Sequence, residues 1–111
     1  MDKSELVELI LQFRKERNWK QFHSSKNLAI SLMLESSEVV ELFQWTKDHK
    51  LPSDKKEDLS NELADVYYWL LLLAYDEGVD LEKALEKKMK LNAKKYPVKK
   101  AKGVATKYTK L

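Results

Sequence analysis

The chain has 111 residues, of which 43% are hydrophobic and 35% are charged, and its formal net charge is +3. This length fits one compact domain with a modest core. The absence of cysteine excludes disulfide scaffolds, thiolate zinc sites and cysteine nucleophiles, and it is compatible with the cytoplasmic location that we expect. The N-terminus lacks the pattern of a signal peptide. The longest apolar run, residues 66–75, is about half of the ~20 residues that a membrane helix needs, so we expect no membrane span.

The charge is distributed unevenly along the chain. Residues 94–111 contain seven lysines and no acid, whereas residues 1–93 carry 14 basic and 18 acidic groups. Such a basic tail can be a solvated end, a phosphate contact within the protein's own site, or a nucleic-acid contact. Only the phosphate contact would also explain why the rest of the chain is acidic.

The first predicted helix begins near the N-terminus, where Asp2 or Ser4 can cap it. Its apolar residues follow the i, i+3, i+4, i+7 spacing of a helix with one buried face: Leu6, Leu9, Ile10 and Phe13. We expect this helix to end near Asn18. A connection rich in aromatic residues, 19–25, follows it.

The second predicted helix contains the stretch ESSEVVELFQW, residues 35–45. Ser24 or Ser25 can cap its start, and we expect it to run to about Trp45. Residues 47–54, KDHKLPSD, have the composition of a turn. Because this turn is short, the second and third helices should pack antiparallel.

The third and fourth predicted helices complete the chain. Asp54 followed three residues later by Glu57 resembles a capping box for the third helix, which can continue until Gly78 stops it. Asp80 can cap the fourth, which should end before Pro97. No alternating strand pattern competes. The predicted fold is therefore all-α, with four helices and an antiparallel central pair.

Two pairs of acids carry the chemical signal. Glu35 and Glu38 are three residues apart and share one helix face, as do Glu62 and Asp65. Either pair alone also fits an ordinary solvated face. If the chain reverses near residue 50, however, Glu38 and Glu62 each lie twelve residues from the reversal, while Glu35 and Asp65 each lie fifteen. The four carboxylates should then face each other at matching levels.

The surroundings of these acids favour a metal site. Apolar residues flank both pairs, and four acids in such a setting would repel each other unless cations neutralised them. An all-oxygen cluster suits Mg²⁺ or Mn²⁺ better than zinc. A di-iron bundle would need Glu-x-x-His pairs, and neither His23 nor His49 fits that pattern.

Five stretches that cover nearly the whole chain resemble the all-α nucleoside triphosphate pyrophosphohydrolases of the MazG type, and within them the branch that contains dCTP pyrophosphatase. They are FRKERNWKQFH (13–23), NLAISLMLESSEVVELFQW (27–45), ELADVYYWLLLLA (62–74), KMKLNAKKYPV (88–98) and KYTKL (107–111). The resemblance implies an Mg²⁺-dependent enzyme that cleaves a nucleoside triphosphate to the monophosphate and pyrophosphate, with Mn²⁺ as a possible substitute.

The resemblance also assigns roles by position. It implies that Glu35, Glu38, Glu62 and Asp65 are metal ligands, and that Glu35 or Glu38 activates the attacking water. It places the base in a pocket formed by Trp19, Lys20, Gln21, Phe22, His23 and Trp45. Near the phosphates it places Lys88, Asn92, Lys95 and Tyr96. The tail, residues 98–111, would close over the triphosphate next to a domain formed by residues 1–97.

Three positions depart from the family pattern. Leu34 stands where many relatives have a second glutamate before the first ligand. Ile10 stands where the eukaryotic dCTP enzymes have a histidine, and Trp69 stands where they have a tyrosine. We therefore count Trp69 among the substrate-binding residues and leave the preferred base open.

Other readings stay open beside this one. Without the resemblance, Trp19 and Trp45 would be read as core or interface residues, and the lysines as solvated. The run from Val66 to Tyr75 exceeds what one partner helix can cover, so we predict a helical bundle with a second subunit, in a dimer or a tetramer. A non-catalytic helical interaction module whose tail binds nucleic acid is the main alternative, although nucleic acid is not the partner that we expect. An inactive relative that only sequesters nucleotides is the third.

Overall fold

The computed structural model describes residues 1–111 and contains helices and turns but no strand, which confirms the all-α prediction. The helices are α1 (Lys3–Glu16), α2 (Ser25–Glu41), α3 (Lys56–Asp76), α4 (Leu81–Lys95) and α5 (Val98–Ala101), with 3₁₀ turns at Lys20–Phe22 and Tyr108–Lys110. The short α5 and the two 3₁₀ turns were not predicted. None of the helices combines the length and apolar character that crossing a bilayer requires.

Three of the helix starts were predicted correctly from their caps. The side chains of Asp2, Ser24 and Asp80 each accept a hydrogen bond from the backbone N–H three residues further on, at 2.9, 3.1 and 3.1 Å. At the first of these starts, the Glu5 side chain also accepts from the Asp2 backbone N–H and completes a capping box. These bonds satisfy donors that the first turn of a helix otherwise leaves free.

The predicted capping box at Asp54 is wrong. The Lys55 backbone N–H donates to the Pro52 carbonyl at 3.0 Å, so Asp54 lies inside a turn that precedes the helix. Lys55 occupies the N-cap position without a side-chain cap. Glu57 and Asp58 instead bring negative charge to the first turn of α3, where it interacts favourably with the helix dipole.

The predicted end of the second helix is also wrong, by four residues. After Glu41 the backbone tightens, and the N–H groups of Leu42, Phe43 and Gln44 donate to carbonyls three residues back. Trp45 then adopts a left-handed conformation with φ of +69°, which terminates the helical path. The connection between α2 and α3 is therefore longer than predicted.

The core lies where α2 and α3 pack against each other, with α1 against α3. Leu28 on α2 is fully buried. Near the end of α3, Leu71, Leu72 and Ala74 are also buried, with at most 8% of each residue exposed. At the same end of the pair, the Ser25 hydroxyl donates to the Glu77 carboxylate. Because this bond joins the start of α2 to the end of α3, the two helices run antiparallel, as predicted.

A buried ion pair attaches α1 to the end of α3. Arg14 is only 4% exposed, and its two terminal nitrogens donate to the two carboxylate oxygens of Asp76 at 2.8 and 3.0 Å. The Lys20 ammonium lies 3.8 Å from the same carboxylate. The hydrogen bonds from Arg14 hold the pKa of Asp76 below its ordinary value.

The chain divides into two compact units, Met1–Gly78 and Val79–Leu111. The second unit contains α4, α5 and the terminal 3₁₀ turn. Within it the Tyr96 and Tyr108 rings meet edge to face at 6.0 Å, and the Lys95 ammonium lies 4.8 Å from the Tyr108 ring centre. The basic C-terminal segment is thus tied to α4 by aromatic contacts.

Candidate metal centre and aromatic pocket

The antiparallel pairing of α2 and α3 brings the four predicted carboxylates together. Carboxylate oxygens of Glu35, Glu62 and Asp65 all lie within 4.8 Å of one another. Glu38 lies close enough to Glu35 and Glu62 to raise the pKa of both carboxyl groups. We call these four residues the carboxylate cluster.

The cluster contains repulsion that the protein itself does not neutralise. None of its four carboxylates forms an ion pair with a lysine, an arginine or a histidine. The hydrogen bond with Glu38, together with desolvation and the neighbouring charges, raises the pKa of Glu62 to about 7. Burial, Glu38 and Asp65 raise the pKa of Glu35, against a smaller opposing effect of a hydrogen bond with Trp69.

Two oxygens of the cluster lack any partner. Oε2 of Glu35 and Oε2 of Glu62 are buried from solvent and accept no hydrogen bond. A carboxylate oxygen that is shielded from water and has no partner is unfavourable, and more so when the group is charged. A divalent cation would satisfy both oxygens and remove the repulsion. Hard oxygen ligands of this kind fit Mg²⁺ or Mn²⁺.

A cavity of about 450 Å³, which we call the aromatic pocket, adjoins the carboxylate cluster through Asp65. The other side chains that line it come from α1, the following connection and α3: Leu9, Ile10, Phe13, Trp19, Tyr68 and Trp69. The Phe13 and Trp19 rings meet edge to face at 5.6 Å, and those of Tyr68 and Trp69 at 4.9 Å. A flat ligand that carries negative charge at one end would match this combination.

Of the residues predicted to bind substrate, Trp19 from the assigned base pocket and Trp69 line the aromatic pocket. His23 does not line it but lies next to Trp69, with an edge-to-face ring contact at 5.5 Å. Its Nδ1 atom is buried without a partner, and burial followed by the charge of Arg14 lowers the pKa of the imidazole. His23 therefore supports the position of Trp69.

The 3₁₀ turn places its three residues outside the aromatic pocket. Lys20 faces Asp76, and the Gln21 amide donates to the Asn18 carbonyl at 2.9 Å. The Phe22 side chain is 62% exposed. In this arrangement none of the three reaches the pocket that Trp19 lines.

Trp45 is the most exposed of the large hydrophobic residues, at 88%, and it too lies outside the lining of the aromatic pocket. Its φ of +69° is rare for a bulky side chain and costs about 1–3 kcal/mol. The strained backbone thus holds a large aromatic ring in solvent at the end of α2.

The four residues assigned to the phosphates lie in the second unit. Lys95 contacts Tyr108, Asn92 is half-buried, Tyr96 is 40% exposed and Lys88 is exposed. The Asn92 carbonyl accepts from the Tyr96 backbone N–H at 2.8 Å, which ends α4. Their contact with phosphate stays a prediction.

Leu9, Phe13 and Tyr68 line the pocket without having been predicted from the sequence to do so. Leu9 and Phe13 were read as the buried face of the first helix, yet they are 54% and 39% exposed. A usable signal existed for Tyr68, because it lies three residues after Asp65 and therefore on the same helix face. The tyrosine hydroxyl is buried without a hydrogen-bond partner.

Comparison with known proteins gives consistent results. The MazG-like family model matches residues 30–111. The curated dCTP pyrophosphatase 1 of Mus musculus is 41% identical over 105 residues, and that of Homo sapiens is 38% identical. Both matches cover 90% of this chain and 62% of the relative, so the chain spans less than two thirds of the length of these relatives.

A solved structure provides a second, independent comparison. The crystal structure of a pyrophosphatase from Archaeoglobus fulgidus superposes with a TM-score of 0.76 at 35% sequence identity, covering 85% of this chain and 91% of that one. The family model alone matches well over half of the chain. The chain therefore belongs to the MazG-like family, as its sequence resemblance predicted.

Proposed function

We propose that this protein is a Mg²⁺-dependent nucleoside triphosphate pyrophosphohydrolase, which converts a (deoxy)nucleoside triphosphate to the monophosphate and pyrophosphate. The observation that carries the proposal is the junction, at Asp65, between the unneutralised carboxylate cluster and the aromatic pocket. The relatives named dCTP pyrophosphatase support this activity and make dCTP, or a modified form of it, the first substrate to test.

In this proposal the aromatic pocket receives the base. Trp19 and Trp69 offer indole rings for stacking, which contributes about 1–3 kcal/mol per base in nucleic-acid complexes. A base held there leaves the sugar and triphosphate directed toward Asp65. Trp45, with its exposed ring, is available to cover a bound nucleotide or to contact a second subunit.

The carboxylate cluster would hold Mg²⁺, or Mn²⁺ as a substitute, through Glu35, Glu38, Glu62 and Asp65. When bound, such an ion offsets the negative charge of the triphosphate and of the leaving pyrophosphate. Glu35 or Glu38 accepts a proton from the water that attacks the α/β phosphate linkage. Lys88, Asn92, Lys95, Tyr96 and the lysines of residues 98–111 bind the phosphates.

A second copy of the chain is part of the proposal. Large apolar side chains on α2 and α3 are exposed, among them Ile30, Met33, Leu63 and Tyr67 at 41%, 63%, 49% and 42%. Exposed apolar side chains on a helix pair are typical of subunit interfaces when they form one patch. We propose a dimer or a tetramer in which these faces are covered, and a cytoplasmic location, with which the cysteine-free sequence is compatible.

The test is product analysis by ³¹P NMR after incubation with a panel of nucleoside triphosphates, with Mg²⁺ or with a chelator. Monophosphate and pyrophosphate should form only with the metal. The Glu38→Gln variant should be inactive, whereas Glu41→Gln, which alters an exposed acid of the same helix, should be active. Inorganic phosphate as the first product, or turnover in the chelator, would contradict the proposal.

A further inference from the structure

The first unit has a second cavity, which we call the basic pocket, and it shares no lining residue with the aromatic pocket. Its volume of about 350 Å³ is within the range of small-molecule sites. The residues that line it are Leu11, Arg14, Lys15, Asn18, Lys20 and Tyr75. Three of these side chains are cationic, and no lining residue is acidic.

Arg14 is the buried member of this lining. It is 4% exposed, and its two hydrogen bonds to the Asp76 carboxylate hold the guanidinium in place. Because Arg14 and Asp76 balance each other, the excess of positive charge in the pocket comes from the two lysines. Lys20 lies 3.8 Å from a carboxylate that Arg14 already occupies, and its side chain is 70% exposed. Lys15 forms no ion pair.

The backbone at the end of α1 is arranged so that it opposes an anion less than most helix ends do. The last carbonyls of a helix are usually unpaired and carry partial negative charge. Here the Lys15 carbonyl accepts from the Asn18 backbone N–H at 3.0 Å, and the Arg14 carbonyl accepts from that of Trp19 at 3.1 Å. The exposed Asn18 side chain brings an amide N–H₂ group that can donate to a ligand.

The neighbouring imidazole of His23 responds to the same charges. Burial lowers its pKa most, and the charge of Arg14 lowers it by more than the opposing charge of Asp76 raises it. Lys20 lowers the pKa further. Asp76 therefore does not neutralise the cations at this end of α1.

We propose that the basic pocket is a second anion site, which binds the phosphate group of a small molecule through Lys15 and Lys20. Asn18 donates a further hydrogen bond, and Leu11 and the 55% exposed Tyr75 form an apolar side for the rest of the ligand. This site is separate from the carboxylate cluster and needs no metal. The inference goes beyond the proposed function and does not depend on it.

The test is a calorimetric titration with pyrophosphate in chelator, at a physiological ionic strength of about 0.15 M. Without a divalent cation the carboxylate cluster repels an anion, so binding reports on other sites. One pyrophosphate should bind per chain. Lys15→Glu should weaken binding at least about 10-fold, because it replaces a charge-assisted contact by repulsion. Lys15→Arg keeps the charge and should bind nearly as well as the wild type.

Two further variants locate the anion. Lys56→Glu makes the same change of charge at an exposed position at the start of α3, and Lys88→Glu makes it on α4. Both should bind pyrophosphate like the wild type, and circular dichroism should show that all variants fold. No binding to the wild type, or equal weakening by Lys15→Glu and Lys56→Glu, would overturn the inference. Loss of binding in Lys88→Glu alone would also overturn it, since the anion would then lie beside α4.

A titration with dCMP in the same buffer distinguishes two sources of the phosphate group. Tighter binding of dCMP than of pyrophosphate would support a nucleotide that packs on Tyr75, and the reverse order would support a free pyrophosphate. In either case Lys15→Glu should weaken the binding. Because no turnover is measured, inactivity toward every nucleoside triphosphate would refute the proposed function and leave this inference standing.

Discussion

Two charged groups in the first unit, the Arg14–Asp76 pair and the carboxylate cluster, differ in whether the protein balances their charge. Arg14 and Asp76 satisfy each other through two hydrogen bonds, and the pKa of Asp76 falls. The carboxylate cluster has no cation, two of its oxygens have no partner, and the pKa values of Glu35 and Glu62 rise.

The difference separates a structural contact from a candidate binding site. A balanced pair needs nothing further from outside the chain, so its role is to fix α1 against α3. An unbalanced cluster destabilises the fold unless a cation or protons neutralise it. Four predictions test this contrast, beginning with the largest expected effect.

Removal of a cluster carboxylate should abolish activity without unfolding the protein. Glu38→Ala and Asp65→Ala should each reduce kcat/KM by more than about 10⁴-fold, the scale found when one member of a group that acts as a unit is lost. Helicity by circular dichroism should change little, because each substitution also relieves repulsion. Normal Mg²⁺-dependent turnover in either variant would rule out the assignment.

Breaking the balanced pair should instead lower the free energy of unfolding. Asp76→Ala leaves Arg14 buried without a partner and should cost about 3–5 kcal/mol in the free energy of unfolding, as measured with urea. The matched control is Asp58→Ala, which removes an exposed partner 3.6 Å from Lys55 and should cost at most about 1 kcal/mol. Equal losses in the two variants would show that burial of the pair does not matter.

Adding Mg²⁺ should stabilise the wild-type protein and have little effect on cluster variants. At a free ion concentration 100 times the dissociation constant, the gain in the free energy of unfolding should be about 2.7 kcal/mol. Thermal unfolding scans with and without chelator would measure it. A gain of the same size in Glu62→Gln would place the ion somewhere else, whereas Asp76→Asn should keep the gain if it folds.

In the presence of a chelator, the Arg14–Asp76 pair and the carboxylate cluster should change stability with pH in opposite directions. The lowered pKa of Asp76 gives stability that is present above its unfolded value of about 4 and is lost as the pH falls further. The raised pKa of Glu62, about 7, gives stability that is present below about 4.5 and is lost as the pH rises toward 7. Urea titrations should therefore show a maximum near pH 4 to 5. Mg²⁺ should remove the decline on the alkaline side.

The parts of the molecule that the sequence predicted are those governed by local rules. Asp2, Ser24 and Asp80 cap helices because their side chains reach a backbone N–H three residues away. The carboxylate cluster was also predictable, because equal distances along the chain from one reversal place residues at equal levels in an antiparallel pair. The helices keep this alignment even though the connection between them is longer than predicted.

The parts that the sequence did not predict depend on contacts between distant residues. The partners Arg14 and Asp76 lie 62 positions apart, and nothing in either local sequence indicates the other. The α1 wall of the aromatic pocket depends on how α1 is rotated against α3, which apolar spacing fixes only approximately. The apolar spacing of α1 therefore placed Ile10 on a buried face, although its side chain lines a cavity.

The hydrogen bond between Ser25 and Glu77 holds together the end of the α2 and α3 pair that lies opposite the connection at residues 42–55. The carboxylate cluster takes its register from helix packing and from that bond, so a change in the length of the connection after Trp45 should leave the cluster aligned. Each doubling of a flexible loop costs only about 0.6 kcal/mol. This connection is accordingly the place where a peptide tag or a fluorescent label can be inserted while the two halves of the cluster keep their alignment.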